Sequence, residues 1–232
     1  MDISTFKDKD SRKPEYRQLY EDHDFITAYG LHTDMRIEKD GPELAIGAKR
    51  DGEQDWEIHS QRQLDFLISQ GLLPHHRLLD FGCGTGRLAS VAVPYLQPGK
   101  YLGIDISRKA VKCAIKYCVD YGLFTRYPAF KQTNGGLEAV KGKQFDFIFA
   151  HSVFTHLPPE IVAQIFSDLS EMDFGEFWFT FKQADAPQRS GLKQFQFSVE
   201  SLQSAAHNYG LKAEPFPYEW PAGQKTMKII HE

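Results

Sequence analysis

From residue 56 onward, short apolar runs alternate with segments whose apolar residues recur at helical spacing. The alternation predicts strands separated by amphipathic helices. The predicted strands are, in chain order, RLLDF, KYLGI, AFKQ, QFDFIFA and EFWFTFK. Ser107 and Ser198 are expected to cap two of the helices, and Gly71 is expected to end the helix that covers 56–70. These units predict an α/β fold.

The last two apolar runs, LKAEPFPYE and KTMKIIHE, are joined by a short turn without a helix. A connection of this length predicts an antiparallel pair. The whole pattern therefore predicts a doubly wound, seven-stranded, mostly parallel sheet with an antiparallel C-terminal strand pair. In such sheets ligands bind beyond the carboxyl ends of the strands, so the loops after Phe81, Ile104, Gln132 and Ala150 are the places to look for a site.

The first fifty-odd residues have a different pattern, with many charges, scattered aromatic residues and turn signals. We expect this segment to be partly helical around 14–29. The predicted organisation is an N-terminal helical extension over 1–55 that covers the core, followed by one domain over 56–232.

Composition restricts the partners. The chain has 232 residues, 25% of them charged, and a net charge of −4, so it has no basic excess and no nucleic-acid partner is expected. The N-terminus has no apolar core typical of a secretory signal, and the longest apolar runs are too short to cross a bilayer. The three cysteines have no metal-ligand spacing. We therefore expect free thiols, a cytoplasmic location, no membrane contact and no metal, and the oligomeric state stays open.

A glycine-rich loop follows the first strand in the stretch LLDFGCGTGRLA. Glycines at this point let a ligand approach the backbone, and the helix that follows directs its N–H groups at the same place. The spacing differs from the dinucleotide fingerprint GxGxxG, because Arg87 stands where its third glycine belongs. Asp80, just before the loop, opposes a pyrophosphate but suits a ligand that carries an ammonium group.

The stretch from Asp80 to Gly86 resembles the first motif of the class I S-adenosylmethionine-dependent methyltransferases, and YLGIDIS resembles their second motif. The resemblance covers about 56–232 and implies a Rossmann-like methyltransferase domain with S-adenosylmethionine as the methyl donor. In the family the glycine loop holds the methionine part of the donor, and the acid that ends the second strand binds the ribose hydroxyls. The expected donor-binding residues in these motifs are Asp80, Gly82, Cys83, Gly84, Thr85, Gly86, Asp105 and Ile106.

The third and fourth loops carry further expectations. Asn134 stands where the family often has an acid that meets the adenine amine, but Asn-Gly is also a turn signal, so both interpretations stay open. The segment FDFIFAHSVFTHLPPE is similar to the fourth-strand segment of many small-molecule methyltransferases, which implies that Ala150, His151 and Ser152 line the donor site. His156 is either a general base for a hydroxyl acceptor or a ring that fixes the loop through a backbone carbonyl.

For the methyl acceptor we expect wall residues at Trp56 and Gln63, on the helix before the first motif, and at Lys182 after the fifth strand. The turn of the C-terminal strand pair, residues 220–224, is another possible contact. The resulting hypothesis is transfer of a methyl group to a small-molecule or sugar-like acceptor, with O-methylation favoured because of the histidines. The alternatives are an NAD(P)-dependent oxidoreductase and a methyltransferase-like module that binds the donor without turnover.

Overall fold

The structure is a computed structural model that describes Phe6, residues 10–47 and residues 55–232. Helices and strands alternate over most of this part of the chain. The helices are α1 (Pro14–Asp22), α2 (Phe25–Asp40), α3 (Pro42–Ala45), α4 (Trp56–Ser69), α5 (Ala89–Tyr95), α6 (Arg108–Asp120), α7 (Pro159–Ser170) and α8 (Val199–His207). The strands are β1 (Leu78–Phe81), β2 (Tyr101–Asp105), β3 (Ala129–Gln132), β4 (Gln144–Ala150), β5 (Asp173–Phe181), β6 (Gln188–Gly191), β7 (Gln194–Gln196), β8 (Leu211–Trp220) and β9 (Gln224–His231).

Seven strands form one sheet in the order β3-β2-β1-β4-β5-β9-β8. Strands β1 to β5 run parallel, and β9 is antiparallel to both β5 and β8. The predicted doubly wound sheet with a reversed C-terminal pair is thereby confirmed. In the register, Phe81 pairs with Ile104 and Asp80 pairs with Phe149, so the loops after β1, β2 and β4 emerge at one edge of the sheet.

Apolar side chains pack on both faces of the sheet. One cluster joins α4 and α5 to the sheet and contains Leu67, Ala92 and Phe149. The other joins α7 and α8 to the opposite face and contains Phe166 and Leu202. Each helix buries one stripe of apolar side chains against the sheet. Helices therefore cover both faces of the sheet, which is needed because apolar strands such as β4 carry buried side chains on both faces.

Polar side chains cap the N-termini of the helices that begin near the carboxyl ends of the strands. Ser107 Oγ accepts a hydrogen bond from Ala110 N at 2.9 Å, and Ser198 Oγ accepts one from Ser201 N at 3.1 Å, as predicted. Asp55 Oδ1 accepts from Glu57 N at 3.0 Å and so caps α4. Because a cap satisfies backbone donors that have no partner inside the helix, it sets where each helix begins.

The N-terminal extension is more helical than predicted. The segment expected around 14–29 is split between α1 and α2 by the cap residue Asp24, and α2 continues to Asp40. Helix α2 is joined to α6 through Asp34, which accepts hydrogen bonds from Ser107 Oγ and from Lys109 N. These contacts hold α2 across the start of α6. The division of the chain at residue 55 stays a prediction.

A small antiparallel hairpin of β6 and β7 lies between β5 and α8 and was not predicted. Its sequences, QRSG and QFQ, are short and polar, so no apolar alternation marks them. Tertiary contacts stabilise it instead: the Arg189 guanidinium lies 5.4 Å from the Phe6 ring, 5.8 Å from the Tyr20 ring and 5.5 Å from both the Phe25 and the Phe195 rings. Over the described ranges, no helix has the length and apolar character needed to cross a membrane.

Candidate functional site

A cavity of about 390 Å³ lies at the carboxyl edge of the sheet. Its floor is formed by the ends of β1, β2 and β4, and its walls by α2, by the first half of α4 and by the β6–β7 hairpin. A concave site of this volume is suited to a small molecule. The topology therefore places the site where strand order reverses between β1 and β4.

The glycine loop forms one side of the floor. Gly82 has φ +77°, and a Cβ at this position would lie 2.3 Å from Val153 Cγ2. Gly86 has φ +97°, and a Cβ there would lie 3.2 Å from Ala114 Cα in α6. Both positions favour glycine because the backbone is left-handed and because neighbouring atoms leave no room for a side chain.

Asp105 ends β2 and connects to the glycine loop. Its Oδ2 accepts a hydrogen bond from Gly84 N at 2.8 Å, and its Oδ1 accepts one from Ser107 N at 2.8 Å. Burial raises the pKa of this carboxyl to about 6, against the lowering effect of the two backbone donors. A carboxylate has about four acceptor positions, so each oxygen keeps a lone pair for a ligand in the cavity.

Asp80 is buried beneath the loop. Tyr101 Oη donates a hydrogen bond to Asp80 Oδ2 at 2.5 Å. Burial first, and then the charge of Asp105, raise the pKa of Asp80 to about 7, while the Tyr101 hydrogen bond and the Arg87 charge lower it. Two buried carboxyls at one loop favour a cationic ligand, because a nearby positive charge stabilises their ionised forms.

The segment after β4 is held in an uncommon conformation. Ser152 has φ +60°, which is rare for a residue with a Cβ. Its N–H donates to Thr180 Oγ1 at 2.7 Å, and its Oγ accepts from Gln224 Nε2 at 2.6 Å. Thr180 Oγ1 in turn donates to Gln224 Oε1 at 2.6 Å. Strands β5 and β9 thus fix the residue that follows His151.

His156 lies in the turn after β4, in the cavity wall. Its Nδ1 is 2.6 Å from the carbonyl oxygen of Lys193, and because a carbonyl only accepts, Nδ1 is the protonated nitrogen. Burial, followed by the charge of Lys193, lowers the pKa of the imidazole to about 3. The ring is therefore neutral near pH 7. A bond to a backbone carbonyl is the kind of contact that the second interpretation expects, and the role of His156 stays a prediction.

Most of the predicted donor residues, the candidate base His156 and one predicted acceptor residue meet at the cavity. Those that line it are Asp80, Gly82, Cys83, Gly84, Asp105, Ile106, His151, Ser152, His156 and Gln63. The other six do not line it. They are Thr85, Gly86, Asn134, Ala150, Trp56 and Lys182.

Packing and hydrogen bonding explain why these six residues do not line the cavity. Thr85 Oγ1 donates to the carbonyl of Pro42 at 3.2 Å, and Gly86 faces α6. Ala150 is completely buried in the core, and Asn134 is exposed, with its N–H directed to Glu138.

Trp56 lies beside Tyr117, with ring centroids 5.8 Å apart, and Lys182 begins the connection from β5 to the hairpin. The geometry gives these six no contact with the cavity, and their predicted roles stay predictions.

Several polar cavity residues were absent from the sequence prediction. His59 and Gln63 are one helical turn apart on α4, so the presence of Gln63 in the prediction was the signal that could have found His59. Arg36 of α2 and Lys193 of the hairpin also line the cavity. They come from elements whose placement depends on tertiary contacts, and no local pattern marks them.

The architecture defines a nucleotide-type binding fold with an acid at the end of β2 and a glycine loop at the end of β1. Residues 79–172 match the methyltransferase domain family. A magnesium-protoporphyrin O-methyltransferase of Synechocystis is 26% identical over 154 residues, which are 64% of this chain and 62% of that protein. The matched segment thus spans somewhat less than two thirds of that relative.

Solved structures show the same fold. Magnesium protoporphyrin IX methyltransferase from Synechocystis with bound S-adenosylhomocysteine aligns with a TM-score of 0.65 at 16% identity, over 86% of this chain and 98% of that chain. The 4+2 cyclase SpnF aligns with a TM-score of 0.63 at 19% identity, over 82% of this chain and 75% of that chain. Residues 79–172 thus match a methyltransferase domain, and the chain has the fold of the class I S-adenosylmethionine-dependent methyltransferases.

Proposed function

We propose that the protein binds S-adenosylmethionine in the cavity and transfers its methyl group to an oxygen of a small molecule. The observation that carries the proposal is Asp105, whose carboxylate is anchored by the N–H groups of Gly84 and Ser107 and lines the cavity. A carboxylate in this position can accept from two adjacent ribose hydroxyls.

The residues present fit such a donor at both of its ends. Ile106, Thr133 and Gly135 line the cavity next to Asp105 and offer an adenosine site with little charge. At the glycine loop, Asp80 suits an ammonium group. When bound, the donor supplies a methyl group already activated by a positive sulfur, so the protein has to align the acceptor and exclude water.

The same charges disfavour the oxidoreductase alternative. A dinucleotide would bring a pyrophosphate close to Asp80 and Asp105, two buried carboxyls in the cavity wall. Like charges at such a site are unfavourable. The position of Arg87 in place of a third glycine supports the same choice.

The hydrogen bonding and burial of His156 support a role in positioning the methyl acceptor. With Nδ1–H donated to Lys193 O, the Nε2 atom is left as a hydrogen-bond acceptor, and a pKa of about 3 makes it a weak base. We therefore propose that His156 orients the acceptor rather than deprotonates it. An acceptor oxygen that is already ionised near pH 7 needs no base, and the curated relative is named an O-methyltransferase.

Calorimetric titration with S-adenosylhomocysteine tests donor binding. We expect one saturable site, and we expect Asp105→Ala to weaken it by about 2 kcal/mol, roughly 30-fold, because hydrogen bonds to a charged group are lost. Asp185→Ala, at an exposed position outside the cavity lining, is the matched control. No heat of binding in a folded sample, or binding of NADH at the same site, would contradict the proposal.

A second possibility is donor binding without methyl transfer, and one observation favours keeping it: the fold matches SpnF, which is named a cyclase. Incubation with methyl-labelled S-adenosylmethionine and a panel of small carboxylic acids, phenols and alcohols separates the two. Label in a product supports methyl transfer, whereas tight donor binding without label in any product favours the second function.

A further inference from the structure

Three nitrogen-bearing side chains meet at the end of the cavity beside α4. His59 lies on α4, Arg87 follows the glycine loop, and His151 follows β4. The rings of His59 and His151 are 4.7 Å apart in an edge-to-face arrangement, and Trp220 covers them with its ring centroid 4.6 Å from that of His151. All three nitrogen-bearing residues line the cavity.

Each of the three contributes a buried nitrogen that has no hydrogen-bond partner within the described part of the chain. The atoms are His59 Nδ1, Arg87 Nε and His151 Nε2. His59 is 4% exposed and Arg87 is 9% exposed, so solvent does not satisfy them. An unpaired buried polar atom costs about 1–3 kcal/mol, and native structures contain few of them. Three in one corner of a cavity indicate that a ligand supplies the partners.

The charge of this corner selects the kind of ligand. Arg87 carries one positive charge, and one of its two terminal nitrogens, Nη2, donates to the carbonyl of Ile46 at 2.8 Å. Burial lowers the pKa of both histidines, followed by the Arg87 charge for His59 and by His59 for His151, so both rings are neutral near pH 7. Each neutral ring can present one N–H to a ligand. One cation and two neutral donors match a singly charged anion with several acceptor positions. A doubly charged phosphate would leave one charge unbalanced.

A metal ion does not fit the corner. Arg87 would repel it, and the described residues contain no group of three histidine, cysteine or acidic side chains that could hold one. The carboxyl of Asp80 also lines this cavity, and it can bind a positively charged group of the ligand next to the anion. A carboxylate close to an ammonium group is the head group of an α-amino acid.

We propose that His59, Arg87 and His151 form a carboxylate-binding subsite at this end of the cavity. The subsite rests on the proposed function, since the methyl donor ends in an amino-acid carboxylate and an acceptor can carry one of its own. The bidentate geometry of a carboxylate suits a guanidinium and the two imidazole N–H groups. The adjacent Asp80 makes the donor the expected source.

Calorimetry with three ligands tests the subsite and identifies the source. The ligands are S-adenosylhomocysteine, its decarboxylated analogue and 5′-methylthioadenosine, which lacks the amino-acid part. We expect His59→Phe and Arg87→Met to weaken binding of S-adenosylhomocysteine by about tenfold or more while changing binding of the two analogues by less than twofold. His75→Phe, at an exposed position outside the cavity, is the matched control.

A second arm addresses an acceptor as the source. Benzoate is titrated into the wild-type protein saturated with S-adenosylhomocysteine and into the same complex of His59→Phe. If the variants leave binding of S-adenosylhomocysteine unchanged but abolish binding of benzoate, the subsite holds a carboxylate from the acceptor. If the variants change neither ligand, the proposal is wrong.

Failure of the proposed function gives a different pattern. In that case the wild-type protein itself does not bind S-adenosylhomocysteine, and benzoate titrated into the free protein still tests the subsite. His59→Gln keeps an N–H donor on the side chain and should restore part of the lost affinity. Far-UV circular dichroism and thermal unfolding confirm that each variant is folded, so a loss of binding is not a loss of structure.

Discussion

Substitution of Gly82 tests the packing of the glycine loop against the segment after β4. An alanine at position 82 must adopt φ near +77°, which costs about 1–2 kcal/mol for a residue with a Cβ. Its Cβ would also lie 2.3 Å from Val153 Cγ2, and overpacking of this kind costs about 1–3 kcal/mol. We expect Gly82→Ala to lower the free energy of unfolding by about 2–5 kcal/mol in total.

Urea and thermal unfolding measure the loss, with Gly99→Ala as the matched control. Gly99 has φ +76° but nothing within 4 Å of a Cβ, so its substitution should cost only the backbone strain, about 1–2 kcal/mol. Each kcal/mol lowers Tm by about 2–4 °C in a chain of this length. In the double variant Gly82→Ala/Val153→Ala the clashing methyl group is absent, so the part of the lost unfolding free energy that comes from overpacking should be recovered. Equal losses for Gly82→Ala and Gly99→Ala would refute the clash.

Three further predictions concern the site. Burial raises the pKa of Asp80 to about 7, above its unfolded value, so the contribution of this carboxyl to stability falls as pH rises from about 4 to 7. In urea unfolding, the free energy of unfolding of Asp80→Asn relative to the wild type should therefore increase by up to a few kcal/mol between pH 5 and 8. A difference that does not change with pH would contradict this. His156 should show the NMR shifts of a neutral ring with the proton on Nδ1 down to pH 5, because burial lowers its pKa to about 3, and a protonated ring at pH 6 would contradict that burial. Gln224→Met should cost about 1–3 kcal/mol in urea unfolding, because the Thr180 hydroxyl loses its acceptor and Ser152 Oγ loses its donor, although the bond from Ser152 N to Thr180 Oγ1 is kept. An unchanged stability would mean that the two hydrogen bonds of Gln224 contribute nothing.

The sheet was predictable because its information is local. Four of the five parallel strands are short apolar runs followed by a polar residue or a glycine, as Phe81 and Gly82 show, whereas β3 (AFKQ) is half polar and mostly exposed. The reversed pair was predictable from the short turn between β8 and β9, which is too short for a parallel crossover. The same local signals gave the residues at the strand ends, including Asp105 and His151.

The walls of the cavity were not predictable in this way. Helix α2 crosses the site because Asp34 bonds to the start of α6, a contact between residues more than seventy positions apart. His59 contributes through its pairing with His151, which no spacing along the chain reveals. The β6–β7 hairpin depends on aromatic residues of the N-terminal helices around Arg189, so its polar sequence carries no strand signal.

The most direct test of donor binding at the carboxyl edge is a crystal structure with S-adenosylhomocysteine. The account predicts that the ribose hydroxyls lie within hydrogen-bond distance of the Asp105 carboxylate and that the amino-acid part extends past Gly82 toward Asp80. Density for the ligand outside this cavity, or a ribose that does not contact Asp105, would contradict the account.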